Sequence, residues 1–190
     1  MFSKPKFAIG LILALFLLFL STRVANAADY YVRTDGHDTN CIGTANFSDA
    51  STETTACAFL TIQKAADTVA NGDTVWVADG TYAEQHDATN KFLNLDMARN
   101  FTIRSASGNR GDVTITDNSH ANYAVRFYNS DATKVVTFQD VTITSDTAVS
   151  GTIALGYSNG FTCNNCVISN TAGGPAIYYY QNFAGKPVTQ

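Results

Sequence analysis

Two stretches of this chain combine residue types and spacings that could do chemistry. Cys163-Asn164-Asn165-Cys166 has the C-x-x-C spacing of redox and zinc sites. A zinc site needs further ligands, but no second C-x-x-C pair exists and the nearest histidine in sequence is His120. Asp35-Gly36-His37-Asp38-Thr39-Asn40 alternates oxygen-bearing side chains as the start of a Ca²⁺-binding loop does. Its glycine comes early, however, and no glutamate follows where such a loop needs one. The expectation there is a turn in which Asp38 and Asn40 bond nearby backbone groups. His37, His86 and His120 sit in unrelated polar stretches and suggest no histidine-centred site. Tyr178, Tyr179 and Tyr180, with Tyr157 nearby, could stack on sugar rings, but an aromatic ladder beside a coil is the expected role. The chain has no phosphate-binding glycine loop, nucleophile elbow or dinucleotide fingerprint.

The elements that must position these residues begin after an export signal. Lys4 and Lys6 form a basic region, Phe7–Leu20 is an apolar run, and Ala25-Asn26-Ala27 is a small-x-small cleavage site, so 1–27 reads as a signal peptide. The apolar run is shorter than the ~20 residues of a spanning helix. No membrane span is therefore expected after cleavage, and the protein is expected to be secreted, periplasmic or on the cell surface. Loss of Lys4, Lys6 and Arg23 moves the formal charge from −4 to −7. No basic block survives, which argues against nucleic acid and anionic membranes as partners.

All four cysteines follow the leader, in a compartment that permits disulfides. Cys41 and Cys57 bracket a stretch without apolar periodicity and are expected to pair. Closing that loop would remove unfolded-state entropy worth roughly 3 kcal/mol.

Within residues 28–71, Tyr30–Arg33 reads as a strand, 34–58 as a long polar loop and Thr61–Asn71 as a helix. Ile62, Ala65, Ala66 and Val69 form one apolar stripe on it, Thr61 can cap its start, and Gly72 suits the left-handed position past its end. From Gly72 onward the period becomes two. Val75/Val77, Phe101/Ile103, Val113/Ile115, Val125/Phe127, Val136/Phe138, Val141/Ile143, Ile153/Leu155, Val167 and Ile177/Tyr179 mark short strands. Asp79-Gly80 and Asn159-Gly160 are the only hairpin-like dipeptides between them, and each could equally be a corner.

The strands repeat. Val136–Thr144 matches Phe161–Ser169 at a displacement of 25, Ile153-Ala154-Leu155 returns as Ile177-Tyr178-Tyr179 at 24, and Val125-Arg126-Phe127 precedes Ile153 by 28. Self-similarity at such periods signals a solenoid whose coils bury their apolar side chains on one another. In this alignment Cys163 and Cys166 take the inward positions of Phe138 and Val141, as small buried hydrophobes or as a local disulfide. Asn164 and Asn165 fall at the corner, where Asn side chains can satisfy backbone groups of adjacent coils.

Tyr30-Tyr31-Val32, Gly36 with Asp38, Gly43-Thr44, Phe59, Thr61-Ile62-Gln63-Lys64-Ala65-Ala66, Gly72-Asp73-Thr74-Val75, Val77 and Gly80-Thr81-Tyr82 together resemble the opening of the pectin-lyase-like family, in its secreted bacterial branch. The resemblance covers about 55 residues with specific motifs, and the downstream coils agree in pattern only. It implies an all-β, right-handed parallel β-helix with an N-terminal capping α-helix and about five coils over 72–190. The family includes polysaccharide lyases, hydrolases, epimerases and surface proteins without known activity, so the fold does not decide the function.

Lyases of the family hold Ca²⁺ against an acidic sugar with carboxylates and abstract a proton with Arg or Lys. The resemblance would place such a site on an outer sheet face. Asp112, Asp117, Asp131, Asp140 and Asp146 are the available carboxylates there, and Arg104, Arg126 and Lys134 the available bases. No local pattern groups them, so each is expected to be a solvated or corner residue. No catalytic or metal-binding residue is assigned and no cofactor is expected, Ca²⁺ entering only under a lyase reading.

The expected function is a non-catalytic extracellular or cell-surface module associated with polysaccharide. The alternative is a lyase or glycoside hydrolase of which this chain is an N-terminal part. No amphipathic closing helix precedes Gln190, so the C-terminal end is expected to be uncapped and to self-associate.

Overall fold

The computed structural model describes residues 26–48, 55–89, 92–96, 99–117, 123–128, 133–146, 151–156 and 161–179. Residues 1–25 of the expected 1–27 signal peptide, the Asn159-Gly160 dipeptide, Asp131, His120, Tyr157, Tyr180 and residues 180–190 lie outside these. Among the described residues the chain is mostly strand with one short helix. Strand β1 (Asp29–Val32) precedes helix α1 (Ile62–Thr68). Strands β2 (Thr74–Val77), β3 (Gly80–Glu84) and β4 (Leu93–Asp96) follow, then β5 (Phe101–Ser105), β6 (Val113–Asp117) and β7 (Val125–Tyr128). Next come β8 (Val136–Gln139), β9 (Thr142–Ser145), β10 (Ile153–Leu155), β11 (Thr162–Asn164), β12 (Val167–Asn170) and β13 (Ile177–Tyr179).

These strands form three sheets, β1-β2-β5-β8-β11, β3-β6-β9-β12 and β4-β7-β10-β13. The chain visits the three in a fixed cyclic order, and every pairing is parallel. The arrangement is consistent with a β-helix-like all-β solenoid. Four circuits are complete between Thr74 and Tyr179, with β1 adding one strand ahead of them. The repeats read from the sequence are the observed register: Cys163 pairs with Phe138, Ile153 with Ile177, and Val125 with Ile153. Asp79-Gly80 is a corner and not a hairpin turn, since β3 leaves β2 for another sheet. Gly80 has φ +152 there, and a Cβ on it would meet Thr34 Cγ2 at 2.7 Å.

Alternation along each strand sends one set of side chains inward. Val75, Ile103 and Phe138 stack from circuit to circuit in the first sheet, as do Ile115 and Ile143 in the second and Leu95, Phe127 and Leu155 in the third. All are buried. Burial fades in the last described circuit, where Ile177 and Tyr178 are exposed. Val167, grouped by the sequence with the inward residues, faces out: the register sets it on Thr142 and sets Ile168 on inward Ile143.

The α1 stripe (Ile62, Ala65, Ala66, Val69) is buried and covers one end of this stack. Thr61 caps it as expected, accepting from Lys64 N at 3.1 Å. The helix stops at Thr68, short of the expected Asn71. Its end is drawn away because buried Asp73 accepts from Ala70 N at 2.6 Å, competing with a further helical turn. The same carboxylate accepts from Ala28 N at 2.8 Å. Cleavage after Ala27 would turn that amide into an ammonium and the contact into a charge-assisted bond. Asp73→Asn is therefore expected to cost about 1.5–3 kcal/mol in the leader-free protein. Less of that loss is expected when an uncleaved residue precedes Ala28, and paired denaturant titrations compare the two.

Candidate functional site

The outer face of the β1-β2-β5-β8-β11 sheet carries the densest set of recognition-type side chains. Because Val75 and Val77 point inward, Thr74 and Trp76 point out. Strand pairing then aligns two outward rows across the sheet. One runs Asp29, Thr74, Thr102, Thr137, Thr162, and the other Tyr31, Trp76, Arg104, Gln139, Asn164. Parallel strands lie about 4.8 Å apart, which sets the pitch of both rows.

Trp76 is held from two sides. Its Nε1 donates to Asp29 Oδ1 at 2.9 Å, and the Arg104 guanidinium lies over its ring at 4.4 Å. Arg104 Nη2 approaches Asp140 Oδ2 at 3.8 Å, while Nε is buried without a hydrogen-bond partner. Asp140 occupies the corner between β8 and β9 with φ 56, and Asn165 repeats that conformation one circuit on with φ 53. Asn165 Nδ2 donates to Asp140 Oδ1 at 2.8 Å, so the two corners are stapled by their side chains. The sequence expected these Asn residues to pair with backbone; Asn165 instead finds a carboxylate.

Among the described residues, the expected lyase candidates Arg104 and Asp140 meet. Asp117, expected outside, points inward and is buried beside Glu84 in register, because it continues the phase of Val113 and Ile115. Asp112 is a turn residue accepting from Ser107 Oγ and Asn109 Nδ2. Arg126 lies on another sheet, donating to Asn94 Oδ1 and stacking over Phe92 at 5.1 Å. Asp146 is exposed just past β9, and Lys134 is half-buried just before β8. Among the described residues no three His, Cys, Asp or Glu side chains converge to hold a metal ion.

The 35–40 stretch is taken up structurally. Asp35 pairs with Arg33 at 2.8 Å, and the guanidinium holds its carboxyl below the usual range. His37 Nδ1 accepts from Thr39 N and Asn40 N. Asp38 reaches across to α1, accepting from Leu60 N, Thr61 N and Thr61 Oγ1. Its partners are thus the helix start and not its own loop, which corrects the local-turn expectation.

Glu84 was not singled out by sequence reasoning. It lies inward at the end of β3, 1% exposed, and accepts from Ile62 N at 2.8 Å and Gln63 N at 2.9 Å. Burial pushes its carboxyl up to about 7, against the opposing pull of the two amides. Burial also raises the Tyr82 phenol, which donates to Ala78 O at 2.8 Å. The available signal was phase: Tyr82 and Glu84 share the inward face of one strand.

Both cysteine pairs are disulfides. Cys41–Cys57 closes the 34–58 loop as expected, and Cys163–Cys166 takes the local-disulfide alternative. Comparison with protein-family models, curated proteins and solved structures finds no match. The functional reading therefore rests on the site itself.

Proposed function

We propose that this is an exported, right-handed parallel β-helix of the pectin-lyase-like kind that binds extracellular polysaccharide without cleaving it. The observation that carries the reading is the Tyr31-Trp76-Arg104-Gln139-Asn164 row. It combines aromatic surface, a guanidinium and two amides at a pitch close to the rise of one sugar residue in an extended chain. Aromatic bodies with polar edges suit sugar rings, and the pinned Trp76 loses little freedom on binding. Handedness follows from the strong preference of parallel crossovers for the right-handed sense. The two disulfides support an extracellular setting.

The lyase or hydrolase alternative would need several carboxylates on one outer face; here Asp29 is engaged by Trp76 Nε1, and Asp140 beside Arg104 is a buried corner residue. A single assay separates the readings. The leader-free protein is titrated with uronate and neutral polysaccharides, with Ca²⁺ and with chelator. Binding is expected with neither unsaturated, ultraviolet-absorbing products, the mark of a lyase, nor new reducing ends, the mark of a hydrolase. Trp76→Ala is expected to weaken binding about tenfold or more while leaving the melting transition nearly unchanged. Turnover of any polysaccharide, or binding indifferent to Trp76→Ala, overturns the proposal.

A further inference from the structure

The fold contains an internal control for its C-x-x-C disulfide. The corner between β8 and β9 and the corner between β11 and β12 occupy the same place in successive circuits. Phe138 stands in register with Cys163, and Asp140 and Asn165 adopt the same left-handed conformation. The earlier corner forms with Phe138 and Val141 and no covalent link. A cross-link is thus not needed to build this corner where the inward residues are fully buried, as Phe138 and Val141 are.

The two disulfides differ in setting. Cys41 and Cys57 are 4% and 0% exposed and close a span of 16 positions inside a hydrogen-bonded loop. Cys163 and Cys166 are half-buried, flank exposed Asn164 and Asn165, and are three positions apart. So short a ring removes little unfolded-state entropy. It also lies in the circuit where inward residues are least buried: Phe161, Cys163, Cys166 and Ile168 are only partly covered. Cys166 Sγ lies 3.5 Å from Phe138 O and 3.6 Å from Asn164 O, so a thiol there has acceptors within reach.

We infer that Cys163–Cys166 is a thiol–disulfide exchange site, open to small thiols, whose oxidation state sets the order of the last circuit. A thiolate attacks Cys166 Sγ at the corner, the Sγ–Sγ bond breaks, and Cys163 leaves as thiolate and takes up a proton. A second thiolate displaces Cys166 from the mixed disulfide. The balance is one protein disulfide and two thiols giving one protein dithiol and one small-molecule disulfide. With the link gone, β11 and β12 keep their parallel pairing to β8 and β9 and side-chain bonds such as Asn165–Asp140 and Ser169–Thr144, but only partly buried apolar contacts shield that pairing from water.

The test treats the folded, full exported protein with increasing glutathione or dithiothreitol and follows each cysteine by differential alkylation and mass spectrometry. Cys163–Cys166 is expected to open at concentrations that leave Cys41–Cys57 intact. Amide exchange is expected to quicken about tenfold or more over 162–170 and 177–179 and to stay unchanged over β2 and β3. The paired variant Cys163→Ser with Cys166→Ser should reproduce that pattern without reductant. Simultaneous reduction of both disulfides overturns the inference. So does unaltered exchange on selective reduction, or a paired variant that loses protection throughout every circuit.

Discussion

Raising the pH from about 5 to about 8 is expected to destabilise this protein by about 3 kcal/mol through one side chain, Glu84. The carboxyl is buried under the start of α1, and burial raises it from the ordinary 4.5 to about 7 in the folded state. Below the ordinary value both states hold the proton, and the full stability is present. Between the two values the unfolded chain has ionised while the folded one has not, so stability falls with rising pH. The loss is complete once the folded group ionises as well. Nearby Asp38 adds repulsion in the same direction, and the amides of Ile62 and Gln63 oppose it. Glu84→Gln removes the titration and keeps one acceptor oxygen for the helix start. It should flatten the stability profile across this window, at a cost of about 1–3 kcal/mol at low pH for the mismatched amide. Chemical denaturation at closely spaced pH values reads both effects. A variant retaining the parent's slope would show that Glu84 does not carry it.

Truncating Phe138 is expected to cost about 3–5 kcal/mol, the range for emptying a buried aromatic site. Phe138 is fully buried, stacked between Ile103 and Cys163 in the ladder. It also sets its ring edge-on to Phe127 at 6.1 Å and Phe161 at 6.3 Å. The hole left by Phe138→Ala would lie between circuits whose strands are tied to each other by continuous parallel pairing, so it can close only by shifting a whole circuit. Val167→Ala, on an outward position 36% exposed, should cost well under 1 kcal/mol. Thermal or urea unfolding of the two variants compares an inward and an outward apolar residue directly, and similar losses would contradict the assigned faces.

Much of the architecture was legible because inward phase and circuit length are both sequence properties. The match of Val136–Thr144 to Phe161–Ser169 already carries the register of two sheets, and the α1 stripe marks the capping face. What escaped were effects between residues far apart in sequence. The Trp76–Arg104 stack joins neighbouring strands of different circuits, and no local motif marks it. Asp38 capping α1 and Glu84 bonding its first amides likewise depend on where the loop and β3 end in space. Asp117 was misplaced because carboxylates are usually solvated, and phase along β6 overrides that prior. The early stop of α1 reflects competition from the Asp73 carboxylate, which propensity alone does not contain.

Amide-resolved NMR of the folded protein tests the parallel stacking most directly. Inter-strand contacts are predicted from Val75 to Ile103, from Ile103 to Phe138, and from Phe138 to Cys163, with the evenly spaced pattern of parallel pairs. Close Hα–Hα contacts between chain neighbours such as β8 and β9, the mark of antiparallel hairpins, would contradict the account.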